Sequence, residues 1–312
     1  MGLTANPTVN GTIYAIVHNP HDGLVYVGGS FEGIDTVANR DYIAAYDPVN
    51  DSWSTVGAGA SVDGEVRAIA IAPNGDVYIG GSFSDVGDAD GDNVAYYDIS
   101  AGTWHSLDSG ADPASEIVYG LAFDKDGILY IAGYFADWGD ANGDGIISWD
   151  GAAFSSLSTG LSGGSGARAV AVGGDNTFYV GGSFTSAGGN AANYVAQWDG
   201  SAFSAMGDGF SALVTCLAIH PQSGGLYAGG IFTTNNAATE TYNYVARWTG
   251  AEWQDMGGGV DNQVYDLSFG ADGVLYCGGA FTSAGDITLT DRVARWNGES
   301  WAHPDINLPG AP

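Results

Sequence analysis

The stretch VYVGGSF, which contains Tyr26, occurs six times along the chain with small changes. The other copies read VYIGGSF, LYIAGYF, FYVGGSF, LYAGGIF and LYCGGAF. Their tyrosines are Tyr26, Tyr78, Tyr130, Tyr179, Tyr227 and Tyr276, spaced 52, 52, 49, 48 and 49 residues apart. Six repeats at this spacing fill the 312-residue chain, so the repeat is the unit from which the fold must be inferred.

Each repeat divides into four short strands, which we name A to D in chain order. Strand A alternates, as in VRAIA from Val66, and an Asn-Gly or Asp-Gly turn such as Asn74-Gly75 often follows it. Strand B is the Tyr-Gly-Gly phrase, and strand C ends on an aromatic residue, as in YVAQWD. Strand D begins with an aromatic residue in every repeat: Trp53, Trp104, Phe154, Phe203, Trp253 and Trp301.

A four-stranded sheet cannot bury both of its faces alone, whereas sheets set radially around an axis bury each face against a neighbour. We therefore predict an all-β fold, a single six-bladed β-propeller with four antiparallel strands in each blade. One domain is expected over 1–312, with strand A innermost. The predicted blades are approximately 9–58, 62–108, 114–158, 164–207, 211–257 and 261–303.

The double glycine that ends strand B, the aromatic on strand C and the tryptophan on strand D resemble the kelch repeat. The first two repeats carry a kelch-like gap of six residues between aromatics, from Tyr46 to Trp53 and from Tyr97 to Trp104. The other four have a gap of four residues, as between Trp198 and Phe203. The stretch YVGGSFTSAGGNAANYVAQWDG is also similar to repeats in fungal cortical polarity markers and in bacterial surface or phage-associated proteins. The resemblance implies a propeller and leaves its function open.

The charge of the chain limits its partners. Asp and Glu total 36 and Lys and Arg total 7, which gives a formal net charge of −29. Such a chain repels phosphate backbones and anionic lipid surfaces, so we expect neither nucleic-acid binding nor membrane insertion. We expect a monomer as an isolated domain.

The two cysteines, Cys216 and Cys277, lie in predicted strands, and we expect buried free thiols.

Two acidic B–C loops have the spacing of calcium ligands. The second repeat contributes Asp88, Asp90 and Asp92, and the third contributes Asp140, Asn142 and Asp144. Alternating carboxylate and amide oxygens suit calcium, the one cofactor that the sequence suggests. The third-repeat loop has Gly151 where an EF-hand loop has its bidentate acid. The same residue types also form ordinary turns, so both interpretations stay open.

A second candidate site is one strand-A position, which we expect near the mouth of the axial channel. It is occupied by Tyr14, Arg67, Tyr119, Arg168, Thr215 and Tyr265 in successive repeats. Arginine and tyrosine can clamp a carboxylate or stack on a sugar, and we assign a ligand-binding role to all but Thr215. Packing between blades is the structural alternative for the same residues.

Trp138 is a third candidate, because it stands in the acidic loop of the third repeat. A tryptophan beside calcium ligands suits a sugar ring, although it can equally cover a blade edge.

These features favour a non-enzymatic recognition module that binds a glycan or a protein surface through the B–C and D–A loops. The alternatives are an assembly domain of a surface or phage-like particle and a propeller hydrolase or lyase acting on polysaccharide. No catalytic residues are assigned, because no nucleophile–His–Asp arrangement, Cys-x-x-Cys or P-loop is found. An extracellular or particle-surface location is favoured, although no signal peptide is visible.

Overall fold

The computed structural model describes residues 9–34, 42–57, 62–87, 93–107, 116–138, 144–289 and 292–304. The chain divides into two compact units, Met1–Ser156 and Leu157–Pro312. Strands and turns make up the described residues, with no helix among them, which confirms the all-β prediction. Within these ranges, no helix is long and apolar enough to span a membrane.

The first unit contains three four-stranded antiparallel sheets whose strands are in chain order. The first sheet comprises β1 (Ile13–His18), β2 (Val25–Gly29), β3 (Ile43–Asp47) and β4 (Ser52–Ser54). The second comprises β5 (Glu65–Ile71), β6 (Val77–Ser82), β7 (Val94–Asp98) and β8 (Thr103–Ser106). The third comprises β9 (Ile117–Phe123), β10 (Leu129–Tyr134), β11 (Ile146–Trp149) and β12 (Phe154–Ser156).

The second unit also contains three four-stranded sheets, with two smaller sheets beside them. The fourth sheet comprises β14 (Gly166–Val172), β15 (Phe178–Ser183), β18 (Val195–Trp198) and β19 (Phe203–Ala205). A small sheet beside it comprises β13 (Leu161–Ser162), β16 (Ser186–Ala187) and β17 (Asn190–Ala191). The fifth comprises β20 (Val214–Ile219), β21 (Leu226–Gly230), β22 (Val245–Trp248) and β23 (Trp253–Asp255). The sixth comprises β24 (Val264–Phe269), β25 (Leu275–Gly279), β28 (Val293–Trp296) and β29 (Trp301–Ala302), and β26 (Ser283–Ala284) pairs with β27 (Ile287–Thr288).

In four of the sheets, the first glycine of the Gly-Gly pair allows the following sheet to pack closely: Gly28, Gly80, Gly181 and Gly229. A Cβ at Gly28 would lie 2.6 Å from Cγ1 of Val66, and one at Gly181 would lie 2.5 Å from Cγ1 of Val214. Both distances are far shorter than a van der Waals contact, so any larger residue would push the next strand A away. The glycine therefore makes room for the valine of the following sheet, within the first unit and within the second.

Aromatic residues join strands C and D. In every four-stranded sheet the aromatic residue of strand C lies directly opposite the first aromatic residue of strand D, as Trp198 does opposite Phe203. The two ring centroids of that pair are 4.7 Å apart. The register is the same whether four or six residues separate the pair, because the longer C–D turn absorbs the difference.

Among the described residues, three strand-D tryptophans also donate a hydrogen bond to a carbonyl oxygen that follows strand D of the preceding sheet. Nε1 of Trp104 donates to the carbonyl oxygen of Val56 at 3.2 Å, and Nε1 of Trp301 donates to that of Met256 at 2.6 Å.

The two cysteines, Cys216 and Cys277, are buried free thiols, as predicted. Burial raises the pKa of both thiols, and the carboxyl group of Asp266 adds to the effect.

Candidate functional site

A β-bulge interrupts the pairing of strand A with strand B at the same place in all six four-stranded sheets. In the second sheet, Val66 pairs with Gly81 and Ala68 with Gly80, which leaves Arg67 as the extra residue. The extra residues of the six bulges are those of the predicted strand-A position: Tyr14, Arg67, Tyr119, Arg168, Thr215 and Tyr265. A bulge re-aims a side chain out of the regular alternation, so the fold singles out this position for a role other than pairing.

The second glycine of the Gly-Gly pair makes the bulge sterically feasible. A Cβ at Gly81 would overlap the carbonyl oxygen of Glu65, and one at Gly182 would overlap that of Gly166. The strand-A backbone thus comes too close to strand B for any side chain at this position. The second glycine, which is kept as Gly133 in the third sheet where Ala132 replaces the first, is the sequence signal of the bulge.

The bulged residues lie beside the D–A and B–C loops, which are bonded to each other. The side chain of Asp261, in a D–A loop, accepts hydrogen bonds from the N–H groups of Thr282 (2.7 Å) and Ser283 (3.0 Å) in the B–C loop of the same sheet. Asp63 binds Ser84 and Asp85 in the same way. Both loops of a sheet therefore lie at the end where its bulge is found.

In the first unit, three bulged residues meet. The Arg67 guanidinium carbon lies 4.7 Å from the ring centroid of Tyr14 and 5.4 Å from that of Tyr119, so the cation contacts a tyrosine of each neighbouring sheet. Both distances are within the range of cation–π attraction. Tyr14 remains 41% exposed, which leaves its ring accessible to a ligand.

Glu65 is the fourth member of this group. We call Tyr14, Arg67, Tyr119 and Glu65 together the Tyr-Arg-Tyr site. Oε2 of Glu65 accepts a hydrogen bond from Nη2 of Arg67, and the two side chains are 32% and 26% exposed, respectively. Nε of Arg67 is buried and has no hydrogen-bond partner within the described parts of the chain. Sequence reasoning missed Glu65, because the bulge at Arg67 interrupts the regular alternation from which shared faces are predicted.

The bulged residues of the second unit differ in exposure and bonding. Thr215 has a structural role, because its hydroxyl donates to the carbonyl oxygens of Val264 (2.6 Å) and Gly229 (3.2 Å). Arg168 is half-buried, and Tyr265 is 57% exposed. The stacked tyrosine–arginine–tyrosine arrangement is a feature of the first unit.

Trp138 does not have the exposed ring that a sugar-binding role requires. Its side chain is 1% exposed and packs edge-on against Phe135, with ring centroids 4.6 Å apart, and against Phe154 at 6.0 Å. It belongs to the hydrophobic core cluster of the third sheet with Ile131 and Ile147. The ligand-binding assignment is therefore replaced by the alternative, a packing role at the edge of the sheet.

Most of the predicted calcium ligands lie outside the described residues, namely Asp88, Asp90, Asp92, Asp140 and Asn142. Asp144 is described, and its Oδ1 accepts a hydrogen bond from the Asp137 N–H at 3.1 Å. Among the described residues, no group of three or more His, Cys, Asp or Glu side chains could hold a metal ion. The calcium prediction for the two loops stays a prediction.

A cleft of about 540 Å³ on the fifth sheet was not anticipated from the sequence. It is lined by four acidic residues, Asp208, Glu240, Glu252 and Asp255. The cleft does not include any of the predicted site residues.

The repeated four-stranded sheets and the side chains presented at their bulged strands define a β-propeller protein. The family model of the Rax2 C-terminal beta propeller domain matches residues 2–172, more than half of the chain, and the protein belongs to this family. Kelch-type repeats specifically stay a prediction.

Solved structures support the same fold. Over 97% of its length the chain is similar to the extracellular domain of a protein described as a hybrid two component system from B. thetaiotaomicron, with a TM-score of 0.60 and 13% identity. The match covers 34% of that chain, so the present chain spans about one third of its length. Virginiamycin B lyase from Staphylococcus aureus matches with a TM-score of 0.57 and 12% identity, over 97% of this chain and 89% of the lyase.

A streptogramin B lyase structure matches with a TM-score of 0.56 and 14% identity, over 95% of this chain and 86% of that one. At such identities the similarity establishes the fold alone. A search of curated proteins gave no match.

Proposed function

We propose that this propeller domain is a non-enzymatic recognition module that binds a glycan or a protein surface at its B–C and D–A loops. The observation that supports the proposal is the Tyr-Arg-Tyr site, in which Arg67 contacts Tyr14 and Tyr119 of two neighbouring sheets. Tyrosine rings offer an apolar face with a polar edge, and arginine adds fixed donors, a combination enriched at binding surfaces.

The bulges support this proposal, because they present side chains without using them in the sheet ladder. A residue retained for packing alone would be buried, whereas Tyr14 is 41% exposed and Arg67 keeps 26% of its side-chain surface accessible. Contacts across three sheets also hold the guanidinium in a defined orientation, which lowers the entropic cost of binding.

A glycan array provides the direct test, run with wild-type protein and with Arg67→Ala. We expect the substitution to weaken binding at least about tenfold, since it removes the donors and the cation that orients both rings. Arg247→Ala is the matched control, because it removes the same charge from a half-buried arginine that bonds to Gln254 in the second unit. Unchanged binding by the Arg67→Ala protein would overturn the proposed site.

The same array tests calcium assistance when it is repeated with calcium and with EDTA. Binding that needs calcium would support a role for the acidic loops around Asp90 and Asp144. Binding that is unchanged by EDTA would indicate that those loops are ordinary turns. It would leave the recognition proposal intact.

We extend the proposal to the architecture, as a single ring of six kelch-like blades. Its support is that the bulge, the glycine of strand B and the C–D aromatic pair recur in six four-stranded sheets. One ring is expected to unfold in one cooperative transition seen alike by calorimetry and by tryptophan fluorescence. Two separate transitions would contradict it.

The alternative functions predict different results. An assembly domain of a surface or phage-like particle would bind no glycan and would associate with itself or with a neighbouring domain. A polysaccharide lyase or hydrolase would turn over its substrate and lose activity in Tyr119→Phe. Glycan binding without turnover would favour the recognition module over both.

A further inference from the structure

We propose that Glu65 determines the charge of the ligand, so that the Tyr-Arg-Tyr site takes uncharged saccharides and excludes acidic ones. The inference rests on the proposed function and names the ligand class for the same site.

The positive charge of Arg67 is balanced within the site. Its guanidinium bonds to the Glu65 carboxylate and contacts the rings of Tyr14 and Tyr119. The cation is therefore paired before any ligand arrives, and the site presents a neutral ion pair flanked by aromatic rings. Such a pair offers both a hydrogen-bond acceptor and donors, which suits the hydroxyl groups of a neutral sugar.

An acidic ligand would compete with Glu65 for Arg67. A ligand carboxylate would need the guanidinium that Glu65 already uses, and binding would place two carboxylates around one cation. Like charges at such close range repel each other, and the partial burial of both side chains weakens solvent screening of that repulsion. A neutral hydroxyl group meets no such penalty.

The net charge of the whole chain also disfavours acidic ligands. Net charge is −29, and Arg67 is one of only seven basic residues. The long-range field of the chain therefore opposes the approach of anions and leaves neutral ligands unaffected. Local and long-range electrostatics select in the same direction, and Glu65 is the component that a single substitution can remove.

The test is an array of paired oligosaccharides, in which each neutral hexose oligomer has a uronate counterpart of the same length and linkage. Wild type, Glu65→Gln and Glu65→Ala are compared by the ratio of uronate to neutral binding. We expect both variants to raise this ratio at least about tenfold, because Arg67 becomes available to the ligand carboxylate. The increase should shrink at high salt, which a purely structural effect of the substitution would not show.

Asp126→Asn is the matched control. It removes one negative charge and breaks an exposed ion pair, that of Lys125 and Asp126. Its binding ratio should equal that of wild type, and thermal melting confirms that each variant is folded.

The outcomes separate this inference from the proposed function. If Arg67→Ala loses binding but the Glu65 variants keep the wild-type ratio, recognition at the site stands and the role of Glu65 is wrong. Wild-type protein that binds uronates as well as neutral sugars would overturn the inference in the same way. Binding of no saccharide by any variant would overturn the ligand class and the inference together.

Discussion

The indole Nε1 of Trp253 donates a 3.0 Å hydrogen bond to the carbonyl oxygen of Met206, 47 residues earlier and directly after the last strand of the preceding sheet. Trp104 and Trp301 make the equivalent bond to a carbonyl oxygen that follows strand D of the sheet before them. The side chain that anchors strand D thus also fixes its sheet against a neighbour within the same unit.

Trp253→Phe should keep most of the buried apolar contact but remove the inter-sheet bond. The Met206 carbonyl oxygen keeps one donor, the Gly209 N–H at 3.2 Å, so we expect a loss of about 1 kcal/mol in the free energy of unfolding. Urea denaturation measures it. Glu252→Gln, a change at an exposed neighbour, should leave the midpoint unchanged, and an unchanged midpoint for Trp253→Phe would show that the bond adds nothing.

Gly181→Ala should destabilise the protein by about 1–3 kcal/mol, because its Cβ would lie 2.5 Å from Cγ1 of Val214. Gly174→Ala in the A–B turn of the same repeat is the control, since nothing lies within 4 Å of its Cβ position and the expected change is under about 0.5 kcal/mol.

A double-mutant cycle identifies the cause of that loss. Val214→Ala removes the methyl groups that the new Cβ would meet, so the double variant should be more stable than the sum of the single changes implies. Strict additivity would mean that the glycine is needed for some reason other than the valine.

Trp138→Ala should lower the free energy of unfolding by roughly 3–5 kcal/mol, because the indole is 1% exposed and packs on Phe135 and Phe154. Trp138→Phe keeps an aromatic ring and should cost much less. Calorimetry measures both. A folded alanine variant with an unchanged melting temperature would restore the surface role that its position in the sequence suggested.

Asp261 should make stability depend on pH in the acid range. Partial desolvation opposes its ionisation, but the N–H groups of Ser283 and Thr282 and the Thr282 hydroxyl outweigh it and lower the pKa from 3.8 to about 2. A carboxyl group whose pKa is lower in the folded state stabilises the fold above its unfolded pKa. This contribution is complete above about pH 4 and is lost as the pH falls towards about 2.

Asp261→Asn should therefore lower the melting temperature at pH 7 and flatten its dependence between about pH 4 and pH 2. Asp286→Asn, which removes the same charge from an exposed acid of the same sheet, is the control. If the two variants have the same acid profile, the loop bond of Asp261 does not contribute.

The repeat predicted much of this structure, because the information lies in local patterns. Tyr26 and the glycines after it lie in strand B of the first sheet. In the second sheet, Asn74-Gly75 forms the turn before strand B, where Gly75 has a φ of +96° that suits glycine. The C–D aromatic pairs follow from the same periodicity. The strand-A position was also identified by its place in the repeat.

The bulge and the environment of Trp138 could not be predicted from single positions. A bulge depends on two strands at once, and only the second glycine of strand B hinted at it. Loop residues lack a periodic pattern, so nothing in the neighbourhood of Trp138 indicated whether its ring faced inwards. The contacts of Arg67 join residues of three repeats, and their distances follow from packing between sheets.

The six bulges also bear on how readily this scaffold could acquire new specificities. A bulged residue has no partner of its own in the A–B register, so exchanging its side chain alters the presented chemistry while every neighbouring pair keeps its alignment. The native chain already places tyrosine, arginine and threonine there. Thr215 has a structural role, so a combinatorial library randomised at the other five positions would vary recognition with little effect on foldability, as antibody loops do on their framework.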